Sequence, residues 1–248
     1  MNRYTASLAI VTMFIFTSFL LRAEPPSFGL GVSVSDSPYK GYGTQYDPLP
    51  HIDYDNGKFF IDDTSVGAYL YNHHQQELSI GFNYLSSEFK PSNSDDRRLK
   101  KLNKRHSTLA SELLYEITTL IGVFSTGLSV DLLNQSHSVL IDTNYTFPIF
   151  YKNWTFIQTG GINWANTQHN NYYYGVSHRE ANRSGLAYHH AKSTLSPYLS
   201  FTANYHLTGH INTFAGVRID KLTGDVKNSP MIANSTIPNL YVGINYQF

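Results

Sequence analysis

The stretch that decides the fold is formed by residues 240–248, which read L-Y-V-G-I-N-Y-Q-F. Leucine, valine, isoleucine, tyrosine and phenylalanine occupy alternate positions, and tyrosine, glycine, asparagine and glutamine stand between them. Successive side chains of a β-strand point to opposite faces of the sheet. The segment therefore predicts a two-faced strand with one apolar face and one mostly polar face.

The same strand ends on an aromatic residue, Phe248, at the last position of the chain. This arrangement resembles the closing strand of a Gram-negative outer-membrane β-barrel, in which a terminal Phe marks the substrate of the barrel-insertion machinery. The resemblance makes Tyr246 and Phe248 the candidate barrel-assembly signal. It also implies that the insertion machinery is a partner of the chain and that the outer membrane, with its lipid, is the destination.

The other end of the chain has the composition of an export signal. Arg3 is followed by an apolar stretch at 8–21, and Ala23 supplies a small residue for cleavage. The apolar stretch matches the roughly 7–15 residues of a secretory signal and is short of the about 20 that a membrane-spanning helix needs. We expect residues 1–23 to be a cleaved signal peptide and residues 24–248 to form a single transmembrane β-barrel domain. An uncleaved N-terminal anchor is the alternative.

Composition excludes several classes of function. The chain has no cysteine, so disulfides, thiolate metal sites, thiol nucleophiles and a lipidated N-terminus are excluded. Lys plus Arg and Asp plus Glu both number 18, and removal of 1–23 takes away two arginines and leaves a net charge of −2. This near balance argues against nucleic-acid binding.

Alternating segments recur between the two ends, each about ten residues long, which is the span of a tilted barrel strand. The clearest are 28–35, 78–84, 155–163, 195–205 and 211–219. No helical period of useful length follows residue 24. The pattern predicts an all-β fold, an antiparallel transmembrane outer-membrane β-barrel.

The connections fall into short and long classes. Short turns are expected at 55–57, 73–76, 117–120, 151–153 and 207–209, and long polar stretches occur at 87–106, 165–192 and 221–236. Barrels of this class have short periplasmic turns and longer extracellular loops. If the first strand starts in the periplasm, the short turns should follow the even-numbered strands. About twelve strands satisfy this rule if 58–72 forms two short strands joined near Thr64, and ten strands is the alternative. A secreted β-sandwich would not explain the one-sided distribution of long loops.

Three segments, in this order along the chain, resemble the MipA/OmpV family. They read S-P-Y-K-G-Y at 37–42, Y-Y-G-V-S at 173–177 followed by E-A and R-S-G-L up to 186, and G-D with N-S-P-M-I at 224–232. The motif positions are Ser37, Pro38, Tyr39, Gly41, Tyr174, Gly175, Ser177, Glu180, Ser184, Gly185, Ser229 and Pro230. Asp95-Asp96 and the segment 102–108 look closer to the YiaT-like branch than to the type member.

The resemblance implies a non-enzymatic barrel without a cofactor. The type member is named for its interaction with a murein lytic transglycosylase, so we expect a structural or scaffolding role linked to peptidoglycan (murein) synthesis and turnover. A lytic transglycosylase and a murein synthase are the partners expected at the periplasmic face. A small pore or uptake barrel is the alternative, through a polar lumen that includes Arg218 and Glu112. A surface adhesin that uses the loop 165–192 is another.

One long loop carries a dense basic cluster beside two acidic residues. Ser94 is expected to cap a short helix with Asp95 and Asp96 in its first turn. The basic side chains that follow are candidates for contact with the phosphates of lipopolysaccharide, because guanidinium and ammonium groups bind phosphate. They are Arg97, Arg98, Lys100, Lys101, Lys104 and Arg105. A solvated charged loop is the alternative.

Other motifs carry weaker chemistry. Four loop histidines, His169, His178, His189 and His190, lack the spacing of a metal site, and no metal is expected. The segment 136–138, S-H-S, is the best local candidate for a hydrolase nucleophile and base, but neighbouring strand residues point to opposite faces and no catalytic residue is expected.

Two further segments are given structural interpretations. The tyrosines at 172–174 are expected in the aromatic girdle at the outer interface, and Tyr151 and Trp154 at the periplasmic interface. The first loop, with Pro38, Gly41 and Gly43, is expected to be a tight turn rather than a plug.

Overall fold

The computed structural model describes residues 25–248, and the predicted signal peptide lies outside the described residues. The described chain contains twelve β-strands. They are β1 (Ser27–Asp36), β2 (Thr44–Asp55), β3 (Phe59–Asp62), β4 (Ser65–His73), β5 (Gln76–Leu85), β6 (Thr108–Thr118), β7 (Val123–Asp131), β8 (Val139–Tyr151), β9 (Trp154–Ala165), β10 (Thr194–His206), β11 (Ile211–Lys221) and β12 (Thr236–Gln247). Each pairs antiparallel with its neighbours and β1 pairs with β12, so the sheet closes into a barrel. The prediction of twelve strands is confirmed, and the ten-strand alternative is wrong.

The two faces of the strands follow the alternation in the sequence. On β12, Leu240 and Val242 have 57% and 52% of their surface exposed on the outside, whereas Tyr241 between them is 6% exposed in the lumen. On β1, Leu30 is exposed and Ser33 is buried. An apolar exterior around a polar interior is the surface that lipid requires of a barrel.

Three helices and two 3-10 turns lie in the connections between strands. The helices are α1 (Thr167–Tyr174), α2 (His178–Ser184) and α3 (Gly224–Lys227), and the 3-10 turns are Pro91–Asn93 and Leu99–Lys101. Within residues 25–248, no helix combines the length and the apolar character needed to cross a membrane.

Short and long connections lie at opposite ends of the barrel, as predicted. One end of the barrel carries the long connections 86–107, 166–193 and 222–235, and the other end carries hairpins of two to four residues. By the rule for this class of barrel, the first end is extracellular and the second periplasmic. The expected turn at 117–120 lies slightly later, at 119–122, because β6 continues to Thr118.

The predicted division of 58–72 into two short strands is present, since β3 and β4 are joined by Asp63 and Thr64 alone. β3 is only four residues long and pairs with β2 through Asp53–Asp55. From Thr44 to Ile52, β2 pairs with β1 on one edge, and among the described residues no strand pairs with its other edge. The wall therefore has a notch, bounded by β2 and by the upper end of β5.

Glycines on the lumen face make room for aromatic rings. A Cβ atom at Gly216 would lie 2.5 Å from the ring of Tyr241, and one at Gly161 would lie 2.4 Å from the ring of Tyr198. Both tyrosines are buried. Large rings thus occupy the lumen where neighbouring strands carry no side chain.

Candidate functional site: the extracellular cap, the lumen and the periplasmic rim

Four extracellular connections pack around one apolar core, which we call the cap. The connections are 37–43, 86–107, 166–193 and 222–235. The core consists of Tyr39, Phe89, Leu99, Leu102, Tyr173, Tyr174, Val176, Leu186, Ala191, Leu222, Val226, Met231 and Ile232. The connections β5–β6 and β9–β10 start four strand positions apart in a ring of twelve, so their contact crosses the mouth of the barrel.

The three segments that carry the family resemblance meet in the cap. Tyr39 forms an isolated β-bridge with Ile232, and its hydroxyl donates to the carbonyl of Tyr173 at 3.2 Å. The Oγ of Ser229 donates to the carbonyl of Tyr174 at 2.6 Å. The motif positions are therefore distant in sequence but adjacent in space, and what they build together is the cap.

The first loop does more than turn the chain. Gly41 has a φ of 68°, as a turn glycine does, and a Cβ there would lie 2.5 Å from the backbone nitrogen of Asp96. Tyr39 in the same loop is 6% exposed and packs at a tilt against Phe89, with ring centroids 4.8 Å apart. The expected turn is present at Gly41, and the loop that Pro38 and Gly43 flank also contributes to the core of the cap.

A buried ion pair joins two of these connections. The Nη2 of Arg105 lies 2.8 Å from the Oε1 of Glu180, and both side chains are more than nine-tenths buried. The guanidinium also donates to the carbonyls of Tyr172, Asn103 and Gly175. Its donors thus have acceptors on both connections, which is the condition for burying a charge.

Glu180 also holds the start of α2. Its carboxylate accepts from the N–H of Ser177, whose hydroxyl accepts from the N–H of Glu180, so the two form a capping box. Burial by itself would raise the pKa of Glu180, but the N–H of Asn103 and the charge of Arg105 lower that pKa to about 2. Glu180 is therefore ionised at every physiological pH.

Five of the six predicted basic residues lie on the surface of the cap, and the sixth does not. Arg97, Arg98, Lys100, Lys101 and Lys104 are exposed. Arg105 is 6% exposed and paired with Glu180, so its guanidinium is not available to a phosphate outside.

The helix expected after Ser94 is replaced by 3-10 turns at Pro91–Asn93 and Leu99–Lys101. The Oγ of Ser94 accepts from the N–H of Asp96 at 3.1 Å, as a capping residue does, and also donates to the carbonyl of Lys40 in the first loop at 2.7 Å. Ser94 therefore takes part both in the local turn and in the contact with the first loop, and no α-helix follows it in this connection.

The tyrosines at 172–174 are not part of an aromatic girdle, which corrects that expectation. They lie in α1, and Tyr173 and Tyr174 are 1% and 6% exposed in the core of the cap. At the periplasmic end, Tyr151 and Trp154 are 59% and 39% exposed beside their turn, as expected of girdle residues.

The S-H-S segment forms a buried hydrogen-bond chain with a residue that sequence reasoning did not connect to it. Asp131 accepts from the Oγ of Ser136, Ser136 contacts the Oγ of Ser138, and Ser138 lies 2.8 Å from the Nδ1 of His169. Burial lowers the pKa of His169 to about 4, so its ring is neutral at pH 7. With Ser138 1% exposed, the chain ties the β7–β8 connection to α1.

The other loop histidines also have structural contacts. The Nε2 of His189 lies 2.8 Å from the carbonyl of Asp225, and the ring of His178 stacks on Tyr188 at a centroid distance of 4.0 Å. Within residues 25–248, no three His, Asp or Glu side chains lie close enough together to hold a metal ion.

The lumen below the cap is polar and crossed by side-chain contacts. Arg218 is 6% exposed, lies 2.9 Å from Asp220 and stands over the ring of Tyr198 at 3.7 Å. Glu112 accepts from the Oγ of Ser129 at 3.4 Å. The predicted polar lumen is thus present, with Arg218 and Glu112 inside it.

The periplasmic rim consists of short turns. At the tip of the β6–β7 turn, Leu120 and Ile121 are 96% and 64% exposed. Phe248 is 70% exposed, packs edge-on against Tyr246 and donates its N–H to the carbonyl of Pro26 at 3.0 Å. The candidate assembly signal therefore lies at the periplasmic end of the seam between β12 and β1.

Comparison with known proteins agrees with this architecture. The NanC porin superposes with a TM-score of 0.53 over 89% of this chain and 100% of that chain, at 10% identity, which shows a common fold. Among sequence relatives, the MltA-interacting protein of Escherichia coli K12 is 33% identical over 90% of each chain. The putative outer membrane protein YiaT of Escherichia coli O157:H7 is 27% identical over 91% of this chain and 92% of its own.

These identities do not favour the YiaT-like branch over the type member, although Asp95-Asp96 and 102–108 pointed to it. Another relative, the outer membrane protein OmpV of Vibrio cholerae, is 24% identical over 85% of this chain and 79% of its own. The model of the family described as MltA-interacting protein MipA matches residues 28–248. The chain is an outer-membrane β-barrel that belongs to the MipA family.

Proposed function

We propose that this chain is a non-enzymatic outer-membrane anchor that holds a murein lytic transglycosylase, and with it a murein synthase, at its periplasmic end. The observation that carries the proposal is the cap, because four connections that pack around one core across the mouth favour a closed end over an open channel. A relative with 33% identity over 90% of both chains is named for an interaction with MltA.

The periplasmic rim limits what kind of contact is available. A standard interface needs roughly 800 Å² from each partner, which is more than a single hairpin turn of two to four residues supplies. A partner must therefore contact several turns and the rim between them. Leu120 and Ile121 are apolar and strongly exposed on one of these turns, which makes them the best candidate anchor points.

A pull-down with a matched control tests the proposal. The purified barrel in nanodiscs is expected to retain the soluble lytic transglycosylase of the same bacterium. The double change Leu120→Ser with Ile121→Ser is expected to lose that retention. Leu132→Ser with Leu133→Ser, two exposed leucines at the extracellular end, is the control and is expected to keep it. No retention by the unchanged barrel, or equal retention by both pairs of variants, would contradict the proposal.

The exposed basic residues of the cap support a second proposal, that the cap contacts phosphates of lipopolysaccharide. Arg97, Arg98, Lys100, Lys101 and Lys104 are exposed at the extracellular end, where such phosphates lie. Reversal of the charge at Arg97, Lys100 and Lys101 is expected to lower the amount of lipopolysaccharide that co-purifies with the barrel. An unchanged amount would contradict this proposal and leave the anchoring proposal untouched.

A further inference from the structure

The notch in the barrel wall begins where β2 loses its second partner. The carbonyl of Ile52 accepts from the N–H of Asp63 at 2.9 Å, and the N–H of Ile52 donates to the Oδ1 of Asp63 at 3.2 Å. From there to Thr44, β2 pairs with β1 only. The opposite side of the notch is the upper end of β5, which β4 leaves at the pair Ser65 and Asn83.

Two prolines lie on the open edge of β2. Backbone groups of alternate residues point to the same edge of a strand, and those of Ile52 point to β3. The backbone groups of Pro50, Pro48, Tyr46 and Thr44 therefore point into the notch. Proline has no N–H, so half of the donors that this edge would expose to hydrocarbon are absent. Proline on an edge also disfavours pairing with a strand from another protein.

A cavity beneath the cap extends to this notch. Its lining includes Gln45 from β2 and Asn83, Tyr84 and Leu85 from β5, which are the two sides of the opening. Tyr84 belongs to the outward face of the barrel and is 48% exposed. The cavity has a volume of about 140 Å³. The space therefore runs from the interior, through the wall, to the side where lipid lies.

An unpaired amide lies inside the cavity. Asn239 on β12 is 3% exposed, and neither its Nδ2 nor its Oδ1 has a hydrogen-bond partner. Buried amides without any partner are rare in folded proteins, and each calls for an explanation. A ligand group that both donates and accepts hydrogen bonds would supply what the amide lacks.

The rest of the lining determines the chemistry of such a group. Apolar side chains from the cap and the wall line the cavity, among them Leu140, Leu222 and Ile237. Its two carboxylates are already paired, Glu88 with Lys90 at 2.6 Å and Asp220 with Arg218 at 2.9 Å. The cavity thus offers no unmatched charge to a charged head group, whereas an uncharged polar group is accommodated.

The geometry points to a binding site for a single-chain lipid amphiphile with an uncharged polar head. The hydroxyl or ester groups of the head bond to Asn239 beneath the cap. The hydrocarbon chain passes between Gln45 and Leu85, through the notch, into the outer leaflet. The amphiphile enters the cavity from the membrane through the notch, and the prolines explain why the opening is not filled by another strand.

Photolabelling in nanodiscs tests the site. The probe is a monoacylglycerol with a diazirine in its acyl chain, and a fatty acid with the same diazirine is the charged comparison. The unchanged barrel is expected to carry the monoacylglycerol label on the notch residues 83–88, with much less label there from the fatty acid. Label confined to the outward-facing strand residues, or equal label from both probes, would overturn the proposal.

Two variants on one strand separate the site from the fold. Asn239→Leu removes the unpaired amide, and the notch label from the monoacylglycerol is expected to be lost. Asn245→Leu is the matched control, since Asn245 is also on the lumen side of β12 with an unpaired Oδ1 but does not line the cavity, and it is expected to keep the label. If Asn239→Leu does not fold, Ser196→Trp fills the cavity from β10 and is expected to have the same effect. Retention of the notch label in a folded cavity variant would overturn the site.

Discussion

At the extracellular end of the barrel, four connections pack into a cap with its own buried core, whereas at the periplasmic end hairpins of two to four residues leave the strand ends bare. The segments that resemble the family are in the cap, yet the relative's name concerns a partner that acts on murein, on the periplasmic side. The family motifs therefore build the extracellular cap. A partner on the periplasmic side would have to contact the short turns, where none of those motifs lies.

The largest effect is expected from breaking the buried ion pair of the cap. Arg105→Ala removes the nearest charged partner of the buried Glu180 and leaves only the more exposed Arg183, 3.8 Å away. Loss of one partner of a buried pair costs up to about 3–5 kcal/mol. The cap connections of this variant should be cut by protease at a much lower concentration, while the strands stay protected.

Arg98→Ala is the control for the ion-pair prediction, since Arg98 pairs with Asp96 at 3.1 Å but is 54% exposed. An exposed pair of that kind is screened by solvent and contributes little to stability. Equal protease sensitivity of the two variants would mean that the cap does not depend on its buried pair.

A second large effect is expected from the apolar core of the cap. Tyr39→Ala removes a 6% exposed ring that packs between Phe89 and Tyr174, and truncation of a large buried aromatic residue costs about 3–5 kcal/mol. Hydrogen exchange should rise across all four connections. Tyr188→Ala, which truncates a tyrosine of the same cap that is 49% exposed, should leave exchange almost unchanged. An increase confined to the first loop would mean that the connections do not form one unit.

Acid is expected to loosen the cap before the barrel. His169 has a pKa of about 4 in the folded cap and 6.5 as its ordinary value, so an open cap binds the proton more readily. The stability of the closed cap is therefore complete above pH 6.5 and falls by up to about 3 kcal/mol as the pH drops to about 4. Protease sensitivity measured from pH 7.5 to 4 should rise across this window.

His169→Gln should flatten the acid response between pH 6.5 and 4. Glu180 contributes only below pH 4.5, at the acid end of that window and beyond it, since its stabilisation is present above its ordinary pKa of 4.5 and is lost toward about 2. A response that begins only below pH 4.5 would exclude His169 as its origin.

The smallest effect on stability is expected from the exposed basic residues. Reversal of Arg97, Lys100 and Lys101 changes charges on the surface of the cap, and changes at exposed positions usually shift stability by about 0.5 kcal/mol or less. Thermal unfolding of this variant should match that of the unchanged barrel. A large drop would mean that these side chains support the cap rather than face outward.

The sequence predicted the wall of the barrel well because strand alternation is local. The residue types at Leu240, Tyr241 and Val242 indicate by themselves which face of the strand each side chain occupies. The alternation of short and long connections was predicted correctly as well, including the short join at Thr64. The cap was not predictable in this way, since Arg105 and Glu180 are 75 positions apart and Ser138 and His169 are 31 apart. Local signals misled there, as with Ser94 and the tyrosines at 172–174, because contacts between connections decided their positions.

Planar-bilayer recording of the purified barrel tests the central claim, that the extracellular end is closed and the protein acts as an anchor rather than a pore. Across a bilayer with symmetric salt, the unchanged barrel should give no steady ohmic steps. The same recording on the variant Arg105→Ala shows whether a loosened cap lets the barrel conduct ions. Regular ohmic steps from the unchanged barrel, at neutral pH and with the cap protected from protease, would contradict the account.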